Sequence, residues 1–318
     1  MKKNLSMSIV VITTITLSIL GFALGGFELS DLQKKIFIVL LIICASSALY
    51  CFIVGEIAKN NSQMDKLWSL LPIAYTWVIA AMGGMDARLV TYAAITTLWG
   101  FRLTFNFARK GAYRLRFWEG EEDYRWEILR KTKFFNTRFK WAFFDLFFIC
   151  IYQNALVLAM CLPALACVGS PEAFGAFDFI AAGSALFFLL IEFVADEEQW
   201  KFQETKKKLL KDGKTLSELD YPYNIGFNTQ GLWGFMRHPN YLGEQAIWLC
   251  LYIFTIGAGV TSYAIFNWTL FGPMFIVLLF LGSSTFGEAI SSSKYPLYKD
   301  YQSCVFKYLP IRKFRYND

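Results

Sequence analysis

A chain of 318 residues that is 56 % hydrophobic, 18 % aromatic and only 18 % charged is not composed like a soluble domain, in which about a quarter of residues are charged. Its formal net charge of +6 comes from Lys and Arg that flank apolar runs and mingle with Asp and Glu, which points to anionic lipid beside basic loops and away from nucleic acid. One histidine and seven cysteines without metal-ligand spacing leave no expected zinc or haem centre, so no metal is expected.

A spanning helix needs roughly 20 apolar residues, and eight runs qualify or nearly so. They are about Met7–Phe27, Ile36–Ile57, Leu67–Met82, Leu89–Ala108, Trp141–Val168, Phe179–Ala195, Gln245–Val260 and Tyr263–Ser284. The third and seventh are short. The expected fold is therefore all-α, a polytopic membrane bundle of about 7–8 transmembrane helices. Two generic N-terminal spans (1–60) precede a larger domain (61–318).

Lys and Arg concentrate in cytoplasmic loops, and here they fall at Lys2 and Lys3, throughout 109–140, in 196–241 and in the tail from Lys294 to Arg315. The 169–178 and 261–262 connections have none. Both termini are thus expected in the cytoplasm, with Lys34 and Lys35 the one exception to the pattern. The expected setting is a bacterial inner membrane. The first run is longer than the apolar core of a signal peptide, so it reads as a retained span. The cysteines read as small packing residues of the spans.

Asp65 stands just before Leu67, Trp68 and Pro72, where a carboxylate has an ordinary explanation as a helix cap. Arg102 lies inside the fourth run, and an intramembrane arginine normally faces a partner or a watery cavity. The GEEDYRWEILRK segment, with Arg125, is either a solvated helix or a lid whose arginines hold phosphates. Asp145, Gln153 and Asn154 in the fifth run either line a cavity or join helices. Glu192 and Asp196 lie four apart at the end of the sixth, suited to ribose hydroxyls or an adenine amine. The polar stretch 197–230, with KKKLLKDGKT, is expected as a surface hairpin or lid.

The densest chemistry is GLWGFMRHPNYLGEQAIW, 231–248. Arg237 is a fixed cation suited to phosphate or carboxylate. Pro239 fits the first turn of a helix, which would put Asn240 and Glu244 on one face beside Tyr241. After the eighth run, Glu288 sits near the interface and Lys294, Tyr298 and Tyr301 fall at helical spacing. The sequence has no GxGxxG after a strand and no Walker loop, so a nucleotide would be held outside the usual soluble folds.

The order IE–AD–Q–F from Ile191 to Phe202, then GLW–RHPNYLGE, then E–KYPLYKDY–F–LP from Glu288 to Pro310, resembles the membrane steroid 5α-reductase family, closest to its bacterial branch. DKLWSLLP, FRL and GEEDYRW upstream fit the same branch, so the resemblance covers about 65–310. It implies an NADPH-dependent reductase that acts on the C=C bond of an enone in a lipid-like, steroid-related substrate, with no obligate protein partner. By the resemblance, Glu192, Asp196, Arg237, His238, Asn240, Tyr241 and Glu244 would hold NADPH; Arg237 and Arg125 would neutralise its phosphates, and Lys294 is a further cofactor-binding candidate. Asp65 would be the acid beside the substrate carbonyl, with Arg102 and Tyr241 as further catalytic candidates. Two family positions depart, the Gln falling on Met64 and the Tyr on Trp99, which leaves Tyr92, Arg102 or Tyr241 as alternative proton donors. RHPNY–G–E is also similar to the motif of membrane methyltransferases, so an S-adenosylmethionine enzyme is an alternative. A non-catalytic lipid-binding protein is another.

Overall fold

The computed structural model describes residues 2–260 and 265–316, with side chains from residue 11 onward. The side chains of Lys2 and Lys3, and the 261–262 connection with Tyr263, lie outside the described residues. Among these residues the regular structure is helical, with one isolated parallel bridge, Met236 to Phe306. Four segments are long and apolar enough to cross a membrane, namely Asp31–Ala58, Arg138–Ala166, Ala176–Lys211 and Trp268–Lys294. Val11–Gly25 and Leu70–Met82 are shorter apolar helices. The chain is a helical membrane protein.

The contacts divide it into two compact units, one of residues 12–182 and 249–276, the other of 1–11, 183–248 and 277–318. The first unit is built on α2 (Asp31–Ala58), α3 (Gln63–Leu67), α4 (Leu70–Met82), α5 (Ala87–Ala108), α6 (Tyr124–Arg130), α7 (Arg138–Phe144) and α8 (Gln153–Ala166), with α1 (Lys2–Gly25) contributing its later residues. The core of this unit is α8, buried along almost its whole length and packed on α2 and α4. A π-helical stretch, Asp145–Tyr152, joins it to α7. Ser30 and Gln33 form a capping box at the start of α2, and the Gln33 amide also reaches the carbonyls of Leu165, Ala166 and Val168 at the end of α8. One side chain thus satisfies orphan groups at two helix ends. Helix α5 starts at Asp86, whose carboxylate accepts from the amides of Arg88 and Leu89. Asp65 falls inside α3, whereas α4 begins at Leu70 without a side-chain cap.

The second unit takes most of α9 (Ala176–Lys211), the start of α10 (Pro239–Gly257), the end of α11 (Phe271–Lys294), α12 (Tyr298–Cys304) and the tail. Helix α10 begins at Pro239, the position where proline's missing N–H costs nothing. The polar stretch expected as a hairpin continues α9 as far as Lys211, and the chain turns only at Asp212–Gly213, where Gly213 has φ 87°. Ile225, Phe227, Tyr298, Tyr301, Val305 and Phe314 form a small aromatic-rich core. The Lys206 ammonium runs along it to the Gly226 carbonyl at 2.6 Å.

Candidate functional site

In the second unit, α9, α10 and the tail bring most of the motif residues together. Gly243 makes the approach of α10 to α9 possible, since a Cβ there would stand 2.6 Å from Glu192 Cβ and 3.0 Å from the Phe188 carbonyl oxygen. The close approach joins the two sequence motifs. The Asn240 amide donates to Asp196 Oδ1 at 3.2 Å, and its carbonyl oxygen accepts from the Tyr241 amide. Glu192 and Glu244 are both buried, and Glu244 accepts from Trp248 Nε1 at 3.1 Å, one turn along α10.

Backbone pairing to the tail fixes the Arg237–His238 pair. The Arg237 amide donates to the Phe306 carbonyl and the His238 amide to the Lys307 carbonyl, both at 3.0 Å. The Arg237 guanidinium turns inward. Its Nε donates to Glu288 Oε1 at 2.7 Å, and Nη1 donates to the carbonyls of Gln302 and Val305. Glu288, whose side chain is fully buried, also accepts from Gln302 Nε2 at 3.0 Å and faces His238 Nε2 at 3.0 Å. Lys307 Nζ lies 3.8 Å from Oε2. The His238 ring stacks on Tyr241 at 5.2 Å, and Tyr241 meets the edge of Phe280 at 4.7 Å. Burial holds His238 below the usual imidazole range, with Glu288 pulling the other way and Lys307 and Arg237 adding to the fall. Burial pushes the Tyr308 phenol, beside the same ring, up to about 12.

Lys294 ends α11 at the surface, its ammonium 5.3 Å from the Tyr295 ring centre. Glu198 accepts from the Leu232 amide at 2.9 Å and so anchors the turn before the motif to α9. Tyr301 donates to the carbonyls of Trp233 and Met236 and fixes the same turn from α12.

Asp65, Arg102 and Arg125 belong to the first unit. Asp65 Oδ2 accepts from Trp126 Nε1 at 2.9 Å. Burial raises its carboxyl above the usual range, helped by the nearby Asp123 charge and opposed by Arg125. Arg125 is a bidentate partner of Asp123, at 2.8 Å on both arms, and lies over the Trp126 ring. Asp123 is held below its usual range by Arg125, against the effect of burial. The α2–α3 turn clamps the loop that carries these groups. Asn60 donates to Gly120 O, Gln63 to Trp118 O, and Lys66 Nζ to the carbonyls of Phe117 and Glu119, both at 2.8 Å. Arg102 is buried on α5, as are Trp99 and Tyr92, whose phenol reaches Met160 O at 3.4 Å. Met64 is fully buried.

Sequence reasoning missed Lys66, Gln302, Lys307 and Tyr308, and gave Glu288 a place near the same interface without a role. Their partners are 10 or more residues away or are backbone carbonyls, which no spacing rule displays.

The S. pombe uncharacterized protein C594.04c is 35 % identical over 278 residues, which is 82 % of this chain and 78 % of that protein. No solved structure matches. A family described as "Protein of unknown function (DUF1295)" matches residues 51–305. With this span and this relative together, the chain belongs to the DUF1295 family.

Proposed function

We propose that the protein is a membrane-embedded, NADPH-dependent reductase of the steroid 5α-reductase type, acting on the C=C bond of an enone in a lipid-like substrate. The observation that carries the reading is the Asn240–Asp196 hydrogen bond, because it joins the paired carboxylates of α9 to the RHPNY motif, as that resemblance requires. The donor set fits a dinucleotide. Asp196, Asn240 and the buried Glu192 and Glu244 suit ribose hydroxyls and amines, and Lys307 and Lys294 supply cationic charge for phosphates. Arg237, engaged with Glu288 and two carbonyls, orients the motif from behind. NADPH, when bound, would supply the hydride.

The chain's own residues would position and polarise. Asp65, whose carboxyl burial raises above its usual range and which Trp126 and Ser62 hold in place, would polarise the substrate carbonyl where negative charge develops. Tyr241, stacked on His238, is a candidate donor of the one proton that completes the reduction. The finer membrane reading belongs to the same proposal: seven to eight spans, both termini and the cofactor site on the cytoplasmic side, and a bacterial inner membrane.

The test is ligand-dependent stabilisation of the detergent-solubilised protein. NADPH is expected to raise the unfolding temperature more than NADH or S-adenosylmethionine does, and Asp196→Ala and Asn240→Ala are expected to abolish the shift. A shift with S-adenosylmethionine alone would instead assign a methyltransferase. No shift with any of the three, with or without an enone lipid, would favour a non-catalytic lipid-binding protein.

A further inference from the structure

Glu288 faces His238, and its chemistry decides which imidazole nitrogen carries the proton. An ionised carboxylate can only accept. Glu288 is ionised in its setting, since Arg237 Nε at 2.7 Å and Gln302 Nε2 at 3.0 Å both donate to it, and Lys307 Nζ is 3.8 Å away. Two acceptors do not face each other at 3.0 Å, so His238 Nε2, at that distance from Oε1, must be an N–H. The same oxygen already takes the Arg237 donor, and with Lys307 beside the carboxylate a third full cation at His238 would be in excess.

Nδ1 is then an unprotonated acceptor, and no described residue donates to it. The ring cannot turn freely. The His238 amide is tied to Lys307 O, Tyr241 stacks on one face, and Tyr308 lies 6.2 Å away.

We propose that Glu288 is a positioning residue that holds His238 as the neutral Nε2–H tautomer, so that Nδ1 is presented as a fixed acceptor to a ligand N–H or O–H, such as a carboxamide, an exocyclic amine or a ribose hydroxyl. A second-sphere carboxylate commonly sets a working histidine in this way. The tautomer stands on the geometry alone, while the identity of the ligand rests on the reductase reading above.

The chain has a single histidine, so imidazole ¹⁵N resonances of protein carrying a histidine-free affinity tag report on His238 alone. At pH 8 the wild type is expected to show one protonated nitrogen, Nε2, and one bare nitrogen, Nδ1. NADPH is expected to move the Nδ1 resonance toward its hydrogen-bonded position. Glu288→Gln keeps the size of the side chain but can present either an amide oxygen or an NH2 group. It should mix the tautomers and weaken NADPH binding on the order of 10-fold, as loss of a charge-assisted hydrogen bond does.

A wild-type spectrum with the proton on Nδ1, or NADPH binding that leaves Nδ1 unmoved, would overturn the proposal. So would a folded Glu288→Gln protein with an unchanged spectrum. If that variant fails to fold, the wild-type spectrum decides alone. The expected tautomer in a protein that ignores NADPH would support the positioning by Glu288 and overturn the cofactor assignment instead.

Discussion

Neutralising Asp178 should destabilise the first unit more than any surface change. Arg88 and Asp178 form an ion pair in which both side chains are almost wholly buried, at 2 % and 0 % exposure. The pairing is bidentate, Nε to Oδ1 at 2.6 Å and Nη2 to Oδ2 at 2.9 Å. The remaining donors reach Ser170 Oγ and the carbonyls of Glu172, Ala173 and Gly257. One guanidinium therefore ties the start of α5 to the α8–α9 connection, the first turn of α9 and the end of α10. Asp178→Asn keeps the shape and removes the charge, which strands a buried cation. Breaking such a pair from one side costs about 3–5 kcal/mol. At roughly 1–2 °C per kcal/mol for a chain of 318 residues, the unfolding midpoint should fall by roughly 3–10 °C. The assay is a thermal ramp with a thiol-reactive fluorophore, since Cys51, Cys150, Cys161, Cys167 and Cys250 are free and buried and become reactive on unfolding. The double variant Arg88→Met/Asp178→Leu removes both charges and should recover at least half of the loss. A fall of less than about 2 °C for Asp178→Asn would refute the reasoning, because the pair would then contribute no more than an exposed one.

Three further outcomes are expected. His238 is held below its ordinary value of 6.5 by burial, so between the folded value and 6.5 the unfolded chain binds more protons, and this contribution to stability is present above 6.5 and lost as pH falls through the window. An NMR titration of the single histidine should give a midpoint below 6.5, and one at or above that value would contradict the burial argument. Gly243→Ala should separate α10 from α9, because the added Cβ meets Glu192 at 2.6 Å; a cost of about 1–3 kcal/mol and loss of the NADPH-dependent thermal shift are expected, and an unchanged shift would mean that the Asn240–Asp196 bond tolerates the displacement. Lys66→Met should leave the Phe117 and Glu119 carbonyls without their donor, at about 1–3 kcal/mol for each orphaned group; limited trypsin digestion should then cut the 110–126 loop several-fold faster, and an unchanged rate would show that the other clamping bonds suffice.

What the sequence displayed was periodicity and local chemistry. Apolar runs set the helical membrane class, and Pro239 marked the start of α10 because a ring without an N–H belongs in a first turn. The Asn240–Asp196 link was half legible. Each residue stood out as polar at the end of an apolar run, but their meeting depends on Gly243, whose only signal is the lack of a side chain. The end of α9 was misread since KKKLLKDGKT looks like a solvated turn, yet its Lys206 lies along Phe202 and Tyr295 and the helix continues beneath it. The Arg88–Asp178 pair could not be read at all, because a charge near the start of each of two helices 90 residues apart looks like ordinary interfacial solvation until both are seen to be buried.

Arg237 shows where the chemistry of a motif and its placement part company. A fixed cation next to the only histidine reads as a phosphate ligand, and the residue type permits that. The folded chain surrounds it with Glu288 and the carbonyls of Gln302 and Val305, all from the last 31 residues. Desolvating a guanidinium without such partners would cost several kcal/mol, so the tail is what allows Arg237 to be buried. The dependence runs both ways. Glu288, equally buried, needs Arg237 to remain an anion, and as an anion it can only accept from His238. Truncating the chain before Val305 would therefore remove two carbonyl partners of the motif's backbone and one of its arginine together, and the expected result is loss of the ordered His238 signal even though residues 231–248 remain intact. A truncated protein that kept the wild-type histidine spectrum would show that α10 alone orders the motif.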